Sequence, residues 1–167
     1  MPSYADRAVA EHAAALMFDA ARRVTAMDRD LRAGIWKQVM GLELGDRTLG
    51  VVGLGGIGRE MVRIGQGLGM RVLAWTRSGV PDDLPCEARE LDALLAESDV
   101  VSLHLALRPE TRGLFDAARL GRMKPGAILI NTARSQIVDA QALVAALNSG
   151  QIGHAGLDVF DTEPLPE

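Results

Sequence analysis

Residues 48–69 read TLGVVGLGGIGREMVRIGQGLG and carry the clearest signal of the fold. This stretch begins with a short apolar run, Thr48–Gly53, which predicts a buried strand. Apolar residues then recur at helical spacing, which predicts a helix over Gly56–Gly69. A GxGxxG pattern lies at the junction between them. Because the pattern follows a strand and opens a helix, it stands in the context that a dinucleotide-binding turn requires.

Each glycine of the pattern has a separate physical role. Gly53 permits a tight turn, Gly55 lets the backbone approach a pyrophosphate, and Gly58 lets the helix pack closely on the sheet. The free N–H groups and the positive end of the helix then face the phosphates. A glycine-rich turn without a ligand is the alternative, and the strand–helix context favours the dinucleotide.

Short apolar runs alternate with helical patterns along the rest of the chain. The further predicted strands are Arg71–Trp75, Asp99–Leu105, Ala127–Asn131 and Ile152–Phe160. The further predicted helices are Glu90–Glu97, Phe115–Met123 and Asp139–Ser149. This alternation predicts an α/β fold, a doubly wound and mostly parallel sheet of the Rossmann type with helices on both faces.

The N-terminal region is rich in Ala and has no Gly or Pro from Ala5 to Arg32, which predicts one long helix with an apolar stripe. We expect this helix to pack against its own domain or against a second subunit, and a homodimer is favoured. In the connector that follows, Trp36 is expected to be an anchor. One domain is expected, divided into a helix at 1–33, a connector at 34–47, a Rossmann core at 48–160 and a tail at 161–167.

Composition argues against several classes of function. The net charge of −4 and the scattered basic residues indicate no nucleic-acid partner. No apolar run reaches the ~18 residues of a membrane span and no signal peptide is recognisable, so we expect no membrane partner and a cytoplasmic location. Cys86 is the only cysteine, which fits a reducing compartment, and no set of residues has convincing metal-ligand spacing.

The end of the second predicted strand bears on the choice of cofactor. An acidic side chain at this point would hydrogen-bond the ribose hydroxyls of NAD, but the sequence there is Trp75-Thr76-Arg77-Ser78. Thr76 would not repel a 2′-phosphate, and Arg77 would pair with one. We therefore expect NAD or NADP as cofactor, with NADP slightly favoured. The alternative is that Arg77 points to solvent and that NAD binds through backbone and sugar contacts.

Two charged residues stand after predicted strands near the end of the chain. Arg134 follows Ala127–Asn131, and Glu163 follows the last strand. A guanidinium suits a planar carboxylate substrate, and a carboxylate can tune a group that transfers protons. From spacing alone, a surface arginine that caps a loop and a solvated glutamate are equally acceptable interpretations.

Five segments in order carry a resemblance to a known family. They are AVAEHAAALM (8–17), LGVVGLGGIG (49–58), DVVSLHLALRPETRGLF (99–115), MKPGAILINTARSQIVD (123–139) and GLDVFDTEPLP (156–166). Together they resemble the nucleotide-binding domain of the D-isomer-specific 2-hydroxyacid dehydrogenases. In that family the substrate domain is built from sequence on both sides of this domain.

The resemblance implies a role for each matching position. Cofactor contacts are implied for Gly56, Ile57, Thr76, His104, Leu105, Thr111, Thr132, Ala133 and Arg134, in addition to the three glycines of the loop and Arg77. Asp158 would accept a hydrogen bond from the nicotinamide carboxamide. Arg134 would also bind the carboxylate of a small 2-keto or 2-hydroxy acid and polarise its carbonyl. Glu163 would hydrogen-bond a catalytic histidine and raise its pKa.

The catalytic histidine of the family lies beyond the glutamate, in a segment that this sequence lacks. Of the three histidines present, His12 is expected on a helix surface or interface, His154 to be structural, and His104 beside the cofactor. The expected function is the dinucleotide-binding part of an oxidoreductase that interconverts a 2-keto acid and a D-2-hydroxy acid by hydride transfer. We expect the chain alone to be nearly inactive. The alternatives are a non-catalytic, dinucleotide-sensing and dimerising module like the family's corepressors, or one half of a split enzyme.

Overall fold

A computed structural model of the protein describes residues 5–164 and contains one six-stranded sheet. Residues 1–4 of the predicted N-terminal unit and residues 165–167 of the predicted tail lie outside the described residues. The strands are β1 (Thr48–Val52), β2 (Arg71–Trp75), β3 (Glu87–Ala88), β4 (Val100–Leu103), β5 (Ala127–Asn131) and β6 (Ile152–Leu157). They run in the order β3-β2-β1-β4-β5-β6, and every pairing is parallel.

Helices cover both faces of the sheet. They are α1 (Asp6–Arg22), α2 (Val24–Arg32), α3 (Gly56–Gly67), α4 (Leu91–Glu97), α5 (Ala117–Arg122) and α6 (Ala140–Ser149). α1 and α3 enclose one apolar core with the sheet, and α4, α5 and α6 enclose the other. The central strands β1, β4 and β5 are buried along their whole length, as strands covered on both faces must be. The predicted doubly wound Rossmann-type fold is confirmed.

The N-terminal helix is present, but the single helix predicted over Ala5–Arg32 is wrong. The chain breaks at Arg23, which has a left-handed φ of 59° and separates α1 from α2. One long-range contact and one local contact stabilise this break. The Arg23 guanidinium lies 2.6 Å from Nε2 of His154 on β6, and the Asp19 carboxylate accepts a hydrogen bond from the Thr25 N–H. These contacts override an otherwise helical composition, and α2 leaves the core with no buried residue.

Several further details differ from the sequence prediction. The strand predicted over Asp99–Leu105 spans Val100–Leu103, and the helix predicted over Phe115–Met123 spans Ala117–Arg122. The two-residue edge strand β3 was not predicted, and it is held beside β2 by ion pairs from Arg71 to Glu87. The last strand ends at Leu157 rather than Phe160. Trp36 does not anchor the connector within its own chain, since 81% of the residue is exposed.

Neither a membrane span nor a metal cluster is found in the described part of the chain. No helix among residues 5–164 is long and apolar enough to cross a bilayer. The same residues contain no group of three or more His, Cys, Asp or Glu side chains that could hold a metal ion.

Candidate functional site

The carboxyl ends of β1, β2 and β4 meet around a cavity of about 390 Å³. The glycine loop forms its base, and the segments that follow β2 and β4 form its walls. Its lining residues are Gly53, Leu54, Gly55, Trp75, Thr76, Arg77, Ser78, His104, Leu105, Ala106, Arg108, Glu110, Thr111 and Leu114. Ligands of doubly wound sheets bind at this edge, where the strand order reverses between β1 and β4.

The glycine loop has the geometry that its sequence pattern predicts. Gly53 has a φ of +99°, and a Cβ there would lie 2.5 Å from the backbone oxygen of His104. A Cβ on Gly58 would overlap the backbone oxygen of Gly53. Gly55 differs, because nothing lies within 4 Å of the position that its Cβ would occupy. The first and third glycines are therefore packing requirements, whereas the second leaves an open surface at the N-terminus of α3.

An acidic side chain that the sequence analysis missed lies beside this loop. The Asp6 carboxylate, in the first turn of α1, fills the space that a Cβ on Gly56 would need. A carboxylate at a helix N-terminus is favoured by the helix dipole. Only a long-range contact between α1 and α3 brings the two residues together, so no local pattern could have indicated it.

The end of β2 offers a guanidinium where a dinucleotide's adenosine ribose would be read. Arg77 is exposed and makes no ion pair or side-chain hydrogen bond within residues 5–164. The facing loop after β4 is held by Thr111, whose hydroxyl accepts from the Arg108 N–H at 2.8 Å and donates to the Ala106 oxygen at 2.8 Å. The pocket wall opposite Arg77 is therefore fixed by a local hydrogen-bond network.

His104 lines this cavity with a partly buried imidazole. Its Nε2 lies 2.9 Å from the Ser102 hydroxyl, and its Nδ1 is buried without a partner in the described chain. Burial lowers the pKa of His104 to about 4. An imidazole that is uncharged at neutral pH is a poor proton donor, which fits the expectation that His104 is not the catalytic acid.

The pKa of His104 gives the chain a predictable pH dependence. An unfolded histidine takes up its proton near pH 6.5, but the folded protein resists protonation until about pH 4. Between these values the unfolded state binds more protons, so stability is complete above pH 6.5 and falls as the pH is lowered. The loss approaches roughly 3 kcal/mol at pH 4.

Urea denaturation between pH 7 and pH 5 tests this. We expect the free energy of unfolding to fall with pH in the wild type and to fall less in His104→Gln. His154, whose pKa burial and Arg23 also lower, contributes in the same direction in both proteins. An identical pH slope in the two proteins would show that His104 is not the group responsible.

The two predicted catalytic residues lie together in a second cavity of about 310 Å³. Arg134 and Glu163 line it with Ser135, Gln136, Val159, Phe160 and Asp161. The exposed Arg134 guanidinium donates to the Ala133 carbonyl oxygen at 2.6 Å, and the Glu163 carboxylate accepts from the Phe160 N–H at 2.9 Å. The structure thus brings a cation and a carboxylate to one opening without pairing them with each other.

A buried amide shapes the loop that presents Arg134. Asn131, the last residue of β5, donates to the Arg134 carbonyl oxygen and accepts from the Ala133 N–H, both at 3.0 Å. The Thr132 hydroxyl between them is buried without a partner in the part of the chain that is described. Sequence reasoning missed Asn131, although a polar residue that ends a buried strand was a usable signal. The unpartnered Thr132 and His104 atoms and the open face of Gly55 fit a polar ligand along this edge.

The remaining histidines and Asp158 form contacts of their own. Asp158 follows β6, and its carboxylate Oδ1 lies 3.2 Å from Nε2 of His12 on α1. His154 contacts Arg23. None of the three histidines lines the cavity that contains Arg134 and Glu163.

Comparison with known proteins agrees with this geometry. A family model described as D-isomer specific 2-hydroxyacid dehydrogenase, NAD binding domain, matches residues 14–167. The glyoxylate reductase of Korarchaeum cryptofilum (strain OPF8) is 43% identical over an alignment of 174 residues. The alignment covers 99% of this chain and 52% of that protein.

Two solved structures show the same likeness. The D-lactate dehydrogenase from Aquifex aeolicus, complexed with NAD and lactic acid, superposes with a TM-score of 0.91 at 37% identity, over 98% of this chain and 50% of that one. The acyclic imino acid reductase Bsp5, in complex with NADPH and D-Arg, gives a TM-score of 0.90 at 32% identity, over 96% and 53% of the two chains. This chain spans about half the length of each of these proteins.

Proposed function

This chain belongs to the D-isomer-specific 2-hydroxyacid dehydrogenases, as their NAD-binding domain, and we propose that it binds a nicotinamide dinucleotide and supplies half of an active site. The reaction is the interconversion of a small 2-keto acid and a D-2-hydroxy acid. The observation that carries the proposal is the open face of Gly55 at the N-terminus of α3, inside the cavity that Arg77 also lines.

Different residues along the sheet edge are assigned to different parts of the cofactor. The N–H groups of Gly56 and Ile57 hold the pyrophosphate, because a helix N-terminus offers free donors and a positive dipole end. The Asp6 carboxylate, which lies against Gly56, moves aside when the phosphates bind, since two anions cannot share this position. Asp158 accepts a hydrogen bond from the carboxamide. The segments after β2 and β4 would hold the adenosine end, and the loop after β5 would hold the nicotinamide end. Residues assigned to these contacts are Gly53, Gly58, Thr76, Arg77, His104, Leu105, Thr111, Thr132, Ala133 and Arg134.

NADP is the preferred form of the cofactor. Arg77 has no carboxylate partner among residues 5–164, and the end of β2 carries no acidic side chain that would repel a 2′-phosphate. A guanidinium forms charge-assisted hydrogen bonds with phosphate oxygens. Related proteins are described with NAD and with NADPH, so the local chemistry of this pocket decides between them.

The substrate lies against the second cavity. The Arg134 guanidinium binds the substrate carboxylate through two parallel hydrogen bonds and polarises the neighbouring carbonyl. The bound cofactor supplies the hydride. Glu163 holds an imidazolium charged near neutral pH so that it can protonate the developing alkoxide. That imidazole is not one of the three in this chain, since each has another contact or a buried site.

A binding and turnover experiment on the 167-residue chain tests this proposal. Isothermal titration calorimetry is expected to show one NADPH site per chain, with NADH bound more weakly. Glyoxylate and hydroxypyruvate should be reduced at least about 10²-fold more slowly than by a complete relative, since a missing general acid costs ~10²–10⁴ in rate. Failure to bind either dinucleotide would contradict the cofactor assignment, and rapid turnover would contradict the missing acid.

A second copy of the chain is the proposed partner. The α2 helix and the connector expose an apolar surface, formed by Val24, Leu31, Ile35, Trp36 and Met40, each more than half exposed. A groove of about 600 Å³ runs between α2 and this connector. Apolar surface of this kind marks protein contacts, and a dimer face is also what the non-catalytic alternative needs.

Trp36→Glu is expected to convert a dimer to a monomer. An interface aromatic of this size is typically worth about 2 kcal/mol or more, and a buried carboxylate adds a desolvation cost. Light scattering after size exclusion should give twice 17.8 kDa for the wild type and 17.8 kDa for the variant. Val144→Glu is the matched control, because Val144 is 54% exposed on α6, away from this surface. A monomeric wild type would contradict the dimer.

A further inference from the structure

His12 makes a contact at the nicotinamide end of the site that neither the sequence nor the family resemblance assigned. Its Nε2 lies 3.2 Å from Oδ1 of Asp158, and about half of each side chain is exposed. His12 lies on α1, whereas Asp158 directly follows β6. The pair is therefore a long-range contact across the edge of the sheet where ligands bind.

Both ends of this contact are held by rigid backbone. Ala10 and Ala13, on either side of His12, are fully buried against the core. Gly156 allows β6 to approach α1 closely, because a Cβ there would lie 2.9 Å from Cβ of Leu16. The Asp158 N–H donates to the Asn131 carbonyl oxygen at 3.1 Å, which joins the end of β6 to the end of β5. Little is left free except the rotation of the two side chains.

The contact leaves half of the Asp158 carboxylate available. Oδ1 faces the imidazole, and Oδ2 has no hydrogen-bond partner among residues 5–164. A half-exposed carboxylate without a partner would sample several rotamers, and ordering it on binding would reduce affinity. Close contact with a helix-mounted ring, at 3.2 Å, restricts that freedom before the ligand arrives. Exposed pairs of this type contribute little to folding stability, so stabilisation does not account for this one.

We infer that His12 is a positioning residue, which fixes the Asp158 carboxylate so that its free oxygen accepts the N–H of the nicotinamide carboxamide. The inference rests on the proposed role of Asp158. Nε2 is the His12 ring nitrogen that faces the carboxylate, and a histidine Nε2 can carry a proton in the neutral Nε2–H tautomer or in the imidazolium.

The 3-acetylpyridine analogue of NADPH separates this role from general packing. It carries an acetyl group in place of the carboxamide and therefore has no N–H for Asp158 to accept. His12→Leu is expected to weaken NADPH about fivefold and the analogue less than about twofold, as loss of part of a charge-assisted hydrogen bond predicts. His12→Gln, which keeps a donor, should restore NADPH affinity to within about twofold.

Isothermal titration calorimetry of the 167-residue chain with both dinucleotides provides the readout. Glu11→Gln is the matched control, because Glu11 lies on the same helix and pairs with Arg7 instead. Equal weakening of both dinucleotides by His12→Leu, or no weakening of either, would overturn the inference. Asp158→Ala then distinguishes failure of the proposed His12 role from failure of the proposed Asp158 role. A loss confined to NADPH keeps the Asp158 role and rejects only His12, whereas an equal loss of both rejects the Asp158 role itself.

Discussion

Gly58→Ala is expected to destabilise the chain by about 3 kcal/mol, the largest effect of any single methyl group in the glycine loop. The new Cβ would overlap the backbone oxygen of Gly53, and backbone cannot move aside as a flexible side chain can. The helix propensity gained from Ala is at most about 1 kcal/mol and does not offset this overlap. Thermal denaturation should show a melting temperature lowered by roughly 6–12 °C.

Gly55→Ala is expected to leave folding stability nearly unchanged and to weaken NADPH binding. Its backbone, at φ −68° and ψ −170°, suits any residue, and its Cβ would meet no atom within 4 Å. Stability should therefore change by less than about 0.5 kcal/mol. NADPH affinity should fall at least about tenfold, because the methyl group occupies the surface that the pyrophosphate approaches.

A glycine further along α3 provides the control for both changes. Gly67→Ala also meets no atom within 4 Å, but it lies at the far end of the helix. It should leave NADPH binding unchanged and stabilise the helix slightly. If Gly55→Ala and Gly67→Ala bind NADPH equally well, the pyrophosphate does not lie on the Gly55 surface.

Arg77→Ser is expected to weaken NADPH binding about tenfold while changing NADH binding less than about twofold. A charge-assisted hydrogen bond is worth ~1.5–3 kcal/mol. Because Arg77 is exposed to solvent, its bond to the 2′-phosphate is expected at the lower end of that range. Calorimetric titration of both dinucleotides, at one fixed salt concentration, measures the ratio. The effect is confined to NADPH because only that cofactor carries the 2′-phosphate.

Arg108→Ser is the matched control for Arg77→Ser. Arg108 lines the same cavity on the loop after β4, so its removal lowers the positive charge of the pocket by the same amount. If both variants lower the preference for NADPH equally, the overall positive potential of the pocket selects the cofactor, and a direct contact between Arg77 and the 2′-phosphate does not. If Arg77→Ser weakens both dinucleotides alike, Arg77 does not read the 2′-phosphate.

The parallel sheet and the glycine loop could be predicted because their signals are local. A buried strand such as Ala127–Asn131 is apolar throughout, and the loop glycines have spacing that few other structures require. The doubly wound parallel sheet then follows from the alternation of strands and helices, apart from β3. That strand has only two residues, both exposed, and no periodicity to detect.

The missed features depend on contacts between distant parts of the chain. Arg23 interrupts a sequence of good helix-forming residues because His154, on β6, lies beside its guanidinium. Asp6 reaches Gly56, and His12 reaches Asp158, only after α1 has packed on the sheet. Propensity describes what a segment favours alone, and tertiary packing decides where such side chains meet. The predicted roles of Arg134 and Glu163 stay predictions, although both residues line one cavity.

We propose that the open edge of the sheet, from the glycine loop to the end of β2, is a dinucleotide site. Two-dimensional NMR of the amide-labelled chain titrated with NADPH tests it most directly. We expect the backbone amide signals of Gly55, Ile57 and Arg77 to shift together and to saturate with one dissociation constant. Saturation with no shift at these amides, or with shifts confined to the apolar groove beside Trp36, would contradict it.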